Sequence, residues 1–136
     1  MSHLKWLTGA GVVLTAALMT TMAVGDDFVE KDVEHWKAEY MSVVKEGRAL
    51  WTDGKLGTNG VACAQCHPNG ANSHPETYPK FQKQLGKVVA FRDMINWCIM
   101  NPLEGKALAL DDPKMIALES YATYERRGVA LDPGKH

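Results

Sequence analysis

Apolar residues recur at helical spacing in three stretches of the chain. From about Glu30 to Thr52, Val33, Trp36, Tyr40, Val43, Val44, Ala49, Leu50 and Trp51 repeat with charges between them, which predicts a long amphipathic helix. Gly47 lowers the helix propensity of that stretch. Either a second helix crosses closely at that point or the glycine is merely tolerated. From Lys87 to Met100, a second helix is expected, with Phe91, Met94, Ile95 and Cys98 at i, i+3, i+4 and i+7 on one face. Pro102 stops it, and Asn101 before the proline is pushed out of helical geometry. Met100 follows Cys98 by two positions, about 200° round the helix, and should point away from that face. Asp111-Asp112-Pro113 opens a third helix, with aspartate as N-cap and proline at the first helical position. Met115, Leu118, Tyr121, Ala122 and Glu125 form its stripe. Arg126, Arg127 and Gly128 end it, basic side chains favouring the negative end and glycine the cap.

The intervening segments carry turn residues. Asp53, Gly54, Gly57, Asn59 and Gly60 make a loop after the first helix. Pro68 to Lys80 is rich in Pro, Asn, Gly and Ser and reads as irregular chain. Tyr78, Pro79 and Phe81 are expected to cover a cofactor or fill core. Gly105 to Leu110 is a short link, and Val129 to His136 an extended surface strap. No repeat, phosphate-binding glycine loop or strand alternation stands out, so the expected class is all-α.

At the N-terminus, Lys5 precedes an uncharged run from Trp6 to Val24, and Ala23-Val24-Gly25 places small residues where a signal peptidase reads. Residues 1–25 are therefore expected to be a signal peptide, cleaved before Asp26. The alternative is an uncleaved anchor, since the run is just long enough to cross a bilayer. Either way residues 26–136 are expected outside the cytoplasm, in the periplasm, as one small domain of about 110 residues.

Charge adds little and excludes something. The 136 residues carry a formal net charge of −1, and losing Lys5 makes the remainder one unit more negative. That balance offers nothing to a nucleic acid or an anionic membrane surface; a membrane contact would need the uncleaved anchor. A core this small is marginal alone, so an apolar cofactor at its centre would help it.

Such a cofactor is suggested by Cys63-Ala64-Gln65-Cys66-His67, a C-x-x-C-H run. Two thiols three positions apart can reach neighbouring vinyl groups of one porphyrin and form thioethers. His67, next in the chain, is then held against the iron as proximal ligand. A thioredoxin-like pair would need a βαβ context, and zinc a second ligand pair; neither is present. The expected cofactor is one covalently bound haem c. His74 could ligate iron or contact a haem propionate, but a solvated loop histidine is the preferred reading. Cys98 is then the odd thiol of three. On the helix face that should meet the haem, the metal would deprotonate it and its thiolate would offset part of the metal charge. Met94, Met100, Met115, an open sixth position and an inert core cysteine remain alternatives.

Helix, glycine loop, C-x-x-C-H, middle helix and closing helix together resemble a class I cytochrome c domain, three main helices around one covalently attached haem. Arg92-Asp93-Met94-Ile95-Asn96-Trp97-Cys98-Ile99, Asn101-Pro102-Leu103-Glu104-Gly105-Lys106 and Met115 to Tyr121 are similar to the haem domains of thiosulfate dehydrogenases and Sox sulfur-oxidation cytochromes. That resemblance implies His/Cys coordination, with Cys98 distal, and gives Arg92 a possible propionate or anion contact. Those enzymes usually have two haem domains, whereas this chain has one motif, and Trp97 and Ile99 make the Cys98 neighbourhood apolar. One haem takes one electron, whereas joining two thiosulfates releases two. The preferred reading is an electron carrier in sulfur-compound oxidation, working with a periplasmic dehydrogenase or second cytochrome. The alternative is a haem-thiolate enzyme or enzyme subunit acting on thiosulfate or a related anion; a ligand sensor ranks last.

Overall fold

The computed structural model describes residues 29–70 and 72–136; the expected signal segment lies outside them. Helix α1 spans Glu30–Thr52, the bounds its periodicity predicts. A one-turn helix α2, Cys63–Cys66, carries the C-x-x-C pair. After two 3₁₀ turns at Pro68–Gly70 and Pro75–Thr77, strands β1 (Lys80–Gln82) and β2 (Lys87–Val89) form a small antiparallel hairpin. Helices α3 (Phe91–Met100) and α4 (Pro113–Glu125) follow.

The hairpin is the main departure from expectation. Residues 87–89 were expected in the helix, but Gly86 takes a positive φ of 66° and turns the chain back on itself. The helix begins instead at Phe91, where the Asp93 carboxylate accepts the Ala90 N–H at 2.9 Å. An acid three residues past the N-cap satisfies an otherwise orphaned donor. At α4 the expected cap is present: Asp112 Oδ1 accepts from the Lys114 N–H at 2.8 Å, with Pro113 first in the helix.

The core is the crossing of α1 and α4, with α3 packed beside it. Val44 and Trp51 of α1 meet Met115, Leu118, Tyr121 and Ala122 of α4 and Phe91, Ile95 and Ile99 of α3. Gly47 is the crossing point. A Cβ built there would lie 1.9 Å from the Ala117 carbonyl oxygen and 2.8 Å from Tyr121 Cβ. No side chain fits without moving α4, so of the two readings of this glycine the close crossing holds. Gly47→Leu is expected to cost about 1–3 kcal/mol by overpacking, read as a fall in thermal midpoint; unchanged stability would contradict the geometry.

The loop after α1 is docked on the turn that ends α3. Thr58 N–H donates to the Leu103 carbonyl at 3.0 Å, and Asn59 Nδ2 to the Pro102 carbonyl at 2.9 Å. Asn96 reads the link before α4 as a strand would, donating to the Leu108 carbonyl at 2.9 Å and accepting its N–H at 2.8 Å. The tail is a strap: Asp132 and Gly134 N–H groups donate to the carbonyls of Glu76 and Thr77, both at 2.9 Å. Beneath it the Glu76 carboxylate, 7% exposed, is gripped by Arg126 and bonded to His74 Nδ1 at 3.0 Å. The Arg126 guanidinium, and secondarily His74, hold its carboxyl down at about 2 against the burial that would raise it.

Candidate functional site

One cavity of about 370 Å³ opens between α2, α3 and the segment carrying the hairpin. Cys63, Cys66 and His67 form one wall, and Met94, Trp97 and Cys98 of α3 form another. Phe91, Ile95 and Tyr78 supply apolar surface, with the Tyr78 and Phe91 rings edge to face at 5.2 Å. All three thiols therefore line one cavity, although Cys98 is 35 positions beyond Cys63. Cys63 and Cys98 are half-buried, and Cys66 is exposed.

The environment of the thiols reflects this. Burial pushes the Cys63 thiol up to about 11, and the charge of Cys98 adds to the shift. Burial, then the charge of Cys66, raises Cys98 as well. Among the described residues, no three His, Cys, Asp or Glu side chains converge as a bare metal ion would require. They surround a space instead. The side chains there that could hold a metal-bearing cofactor are Cys63, Cys66, His67, Cys98 and Met94.

Trp51 positions the motif. Its indole Nε1–H donates to the His67 carbonyl at 2.8 Å, and its ring lies edge-on to the His67 ring at 6.5 Å. Tyr121 of α4 backs that indole at 5.6 Å. Gln65, inside the motif, accepts the Ala62 N–H at 3.3 Å and caps α2. Sequence reasoning counted Trp51 only as one apolar position of the α1 stripe. Its signal was a buried indole, which needs an acceptor, sixteen residues before the motif histidine.

On α3, Phe91, Met94, Ile95 and Cys98 all line the cavity, as their shared face predicts, and Phe91 and Ile95 also join Ile99 in the core. Other expected residues lie elsewhere. Met100 is 47% exposed and lies outside the cavity, on the side its spacing indicated. Met115 is fully buried against the core. Arg92 is not a cavity residue: its guanidinium is paired with Glu119 of α4 at 2.6 Å and donates to the Leu110 carbonyl at 3.3 Å. His74 lies under the strap with Glu76, away from the thiols. Tyr78 lines the cavity as expected, but Phe81 does not; it is 49% exposed on the outer side of the hairpin. Glu125, expected on the buried stripe of α4, is exposed, and Ala117 is buried under Gly47 in its place.

Three helices about an apolar cavity, entered by a C-x-x-C-H turn, define an all-α class I cytochrome c domain, and such a domain implies haem c. The family described as SoxA/TsdA, cytochrome c domain, matches residues 46–131, and this chain belongs to it. The chain is 31% identical over 109 residues to the L-cysteine S-thiosulfotransferase subunit SoxA of Rhodovulum sulfidophilum, covering 78% of this chain and 38% of that protein. It is 31% identical over 85 residues to the thiosulfate dehydrogenase of Allochromatium vinosum, covering 54% of this chain and 32% of that one. The crystal structure of SoxXA from P. pantotrophus shares the fold, with a TM-score of 0.66 at 22% identity, over 76% of this chain and 40% of that one. The chain thus spans less than two fifths of the length of both curated relatives. Both curated relatives are named for reactions of thiosulfate or its sulfur.

Proposed function

We propose that this domain binds one haem c covalently and carries single electrons, outside the cytoplasm, during the oxidation of sulfur compounds. Cys63 and Cys66 would form the thioether bonds, and His67 and Cys98 would supply the iron ligands. The observation that carries this reading is the meeting of three thiols and the motif imidazole on one apolar-walled cavity, Cys63 and Cys66 from α2 and Cys98 from α3. When bound, haem c supplies a one-electron ferric/ferrous couple. The chain's own residues do the rest. Trp51 fixes the His67 main chain, and Phe91, Ile95 and Tyr78 keep the site apolar. Arg92 acts at a distance, holding α3 to α4 through Glu119.

Residues 1–25 serve as the export signal, which puts the domain in the periplasm. No helix of the described residues is long and apolar enough to cross a membrane. The partner is a periplasmic dehydrogenase or a second cytochrome; that one relative is named as a subunit favours a protein partner.

The relatives' names also support a second reading, a subunit acting on thiosulfate or a related sulfur anion at the Cys98 thiolate. Coulometry and a thiosulfate assay on the purified holoprotein separate the two. The carrier reading expects one electron per chain and no thiosulfate consumption by the isolated protein with ferricyanide as acceptor. Sustained turnover by the isolated chain would replace it with the enzyme reading.

A further inference from the structure

The β1–β2 hairpin has two unlike faces. In its register Lys80 pairs with Val89, Phe81 with Val88 and Gln82 with Lys87. Alternation puts Lys80, Gln82, Lys87 and Val89 on the inner face, with Lys87 at the exposed end of its strand. Val89 is 4% exposed, Gln82 donates to the Tyr78 hydroxyl, and both Lys80 and Gln82 line the cavity of the three thiols. Phe81 and Val88 are direct cross-strand neighbours on the outer face, 49% and 64% exposed.

The charge around that pair is of one sign. Lys80, Lys83 and Lys87 are the ionisable side chains from Pro79 to Phe91, and no acid falls in that run. The chain as a whole is balanced, with 15 basic and 16 acidic residues, so this is a local departure. Among the described residues none of the three lysines is in an ion pair. The flanking acids are both engaged, Glu76 by Arg126 and Asp93 by the Ala90 N–H. Lys80 is turned to the inner side, its ammonium 4.8 Å from the centre of the Tyr78 ring, but Lys83 and Lys87 are exposed beside the apolar pair, and that combination is the complement of an apolar patch rimmed by carboxylates.

We propose that the outer face of the β1–β2 hairpin is the docking surface for an acidic-rimmed redox protein that exchanges electrons with this domain. Two features select a protein over a lipid surface. The hairpin is three residues per strand, with only two outward apolar side chains, too small a wedge for a bilayer. Its inner face also lines the cavity, so a partner seated on Phe81 and Val88 is separated from the cofactor site by one thin layer of chain. The electron-exchange part rests on the haem reading above; the docking part does not.

The test uses purified holoprotein and a gold electrode bearing a mixed carboxylate- and methyl-terminated thiol monolayer, which carries the partner's chemistry. Adsorption is read by surface plasmon resonance and electron exchange by voltammetry. Phe81→Ser/Val88→Ser and, separately, Lys83→Glu/Lys87→Glu are each expected to weaken adsorption at least tenfold and to slow exchange in parallel. Lys37→Glu/Lys45→Glu, an equal charge change on the exposed side of α1, should leave both within twofold. On an ammonium-terminated monolayer the advantage of the wild type should vanish. Hairpin variants that adsorb like the wild type, or a control that falls as far, would overturn the proposal. So would a wild-type dimer dissolved by Phe81→Ser/Val88→Ser, which assigns the face to a second copy. Tighter binding to phosphatidylglycerol vesicles than to the monolayer would likewise assign it to lipid. Adsorption that follows the expected order without a redox wave would sink the haem reading and leave the docking face standing.

Discussion

Replacing either Cys63 or Cys66 by alanine is expected to leave the purified protein poor in haem, whereas the wild-type haem should stay with the polypeptide through acid–acetone extraction. Both thiols line one cavity, on the single turn of α2, and each would supply one covalent bond. The effect should reach stability as well. The cavity walls are Trp51, Phe91, Ile95 and Tyr78 among others, and they enclose about 370 Å³. Apolar walls that lose the group they pack against lose transfer energy and contacts together, on the order of several kcal/mol. For a domain of this size that is most of the net stability, so the alanine variants should be found mainly as unfolded or degraded chain. Haem that extracts freely from the wild type would overturn covalent attachment.

The second large effect is expected at Cys98. A thiolate gives iron more electron density than a thioether and favours the ferric state, so the wild type should have a low reduction potential. The oxidised protein should be low-spin and lack the weak near-infrared band that marks a methionine sulfur on ferric haem. Cys98→Met should raise the potential on the order of a hundred millivolts or more, within the roughly 0.8 V that axial ligands span. Cys98→Ala should open the site to added cyanide or imidazole. The competitor to watch is Met94, one turn earlier on α3 and lining the same cavity. A methionine band in the wild type that survives Cys98→Ala would transfer the ligand role to Met94. Met100 and Met115 are no longer attractive, the one exposed and the other sealed in the core.

These expectations rest on features that differ in how plainly the sequence shows them. The bounds of α1 and the cap of α4 were legible because each has a local cause: a sustained helical stripe in one case, Asp112-Pro113 in the other. The cavity side of α3 was legible too, since Met94 and Cys98 share a helical row. The hairpin was not. Three residues per strand are too few for alternation to stand out, and the Lys87–Val89 strand abuts a helix whose pattern absorbs it. Only Gly86 and the reach of Asp93 back to Ala90 mark the boundary. Phe81 was misplaced for the same reason, because its side depends on strand register and not on composition. Arg92 illustrates a third limit. Its position on α3 was readable, but its engagement by Glu119 is a tertiary fact, 27 residues away in the chain.

The α1–α4 crossing has a mechanical consequence. From Val44 onward α1 is clamped, by Gly47 against Ala117 and by Trp51 against Tyr121 and the His67 carbonyl. Residues 30–40 are all exposed, and Val33, Trp36 and Tyr40 keep 43% to 51% of their surface in solvent. One unbroken helix thus joins two regimes of local stability. Its C-terminal turns should open only with the whole domain, whereas fraying of its N-terminal turns should cost the site little. Backbone amides in the first three turns should therefore trade protons with solvent independently of whatever occupies the cavity, and force applied at that end would be absorbed before it reached His67.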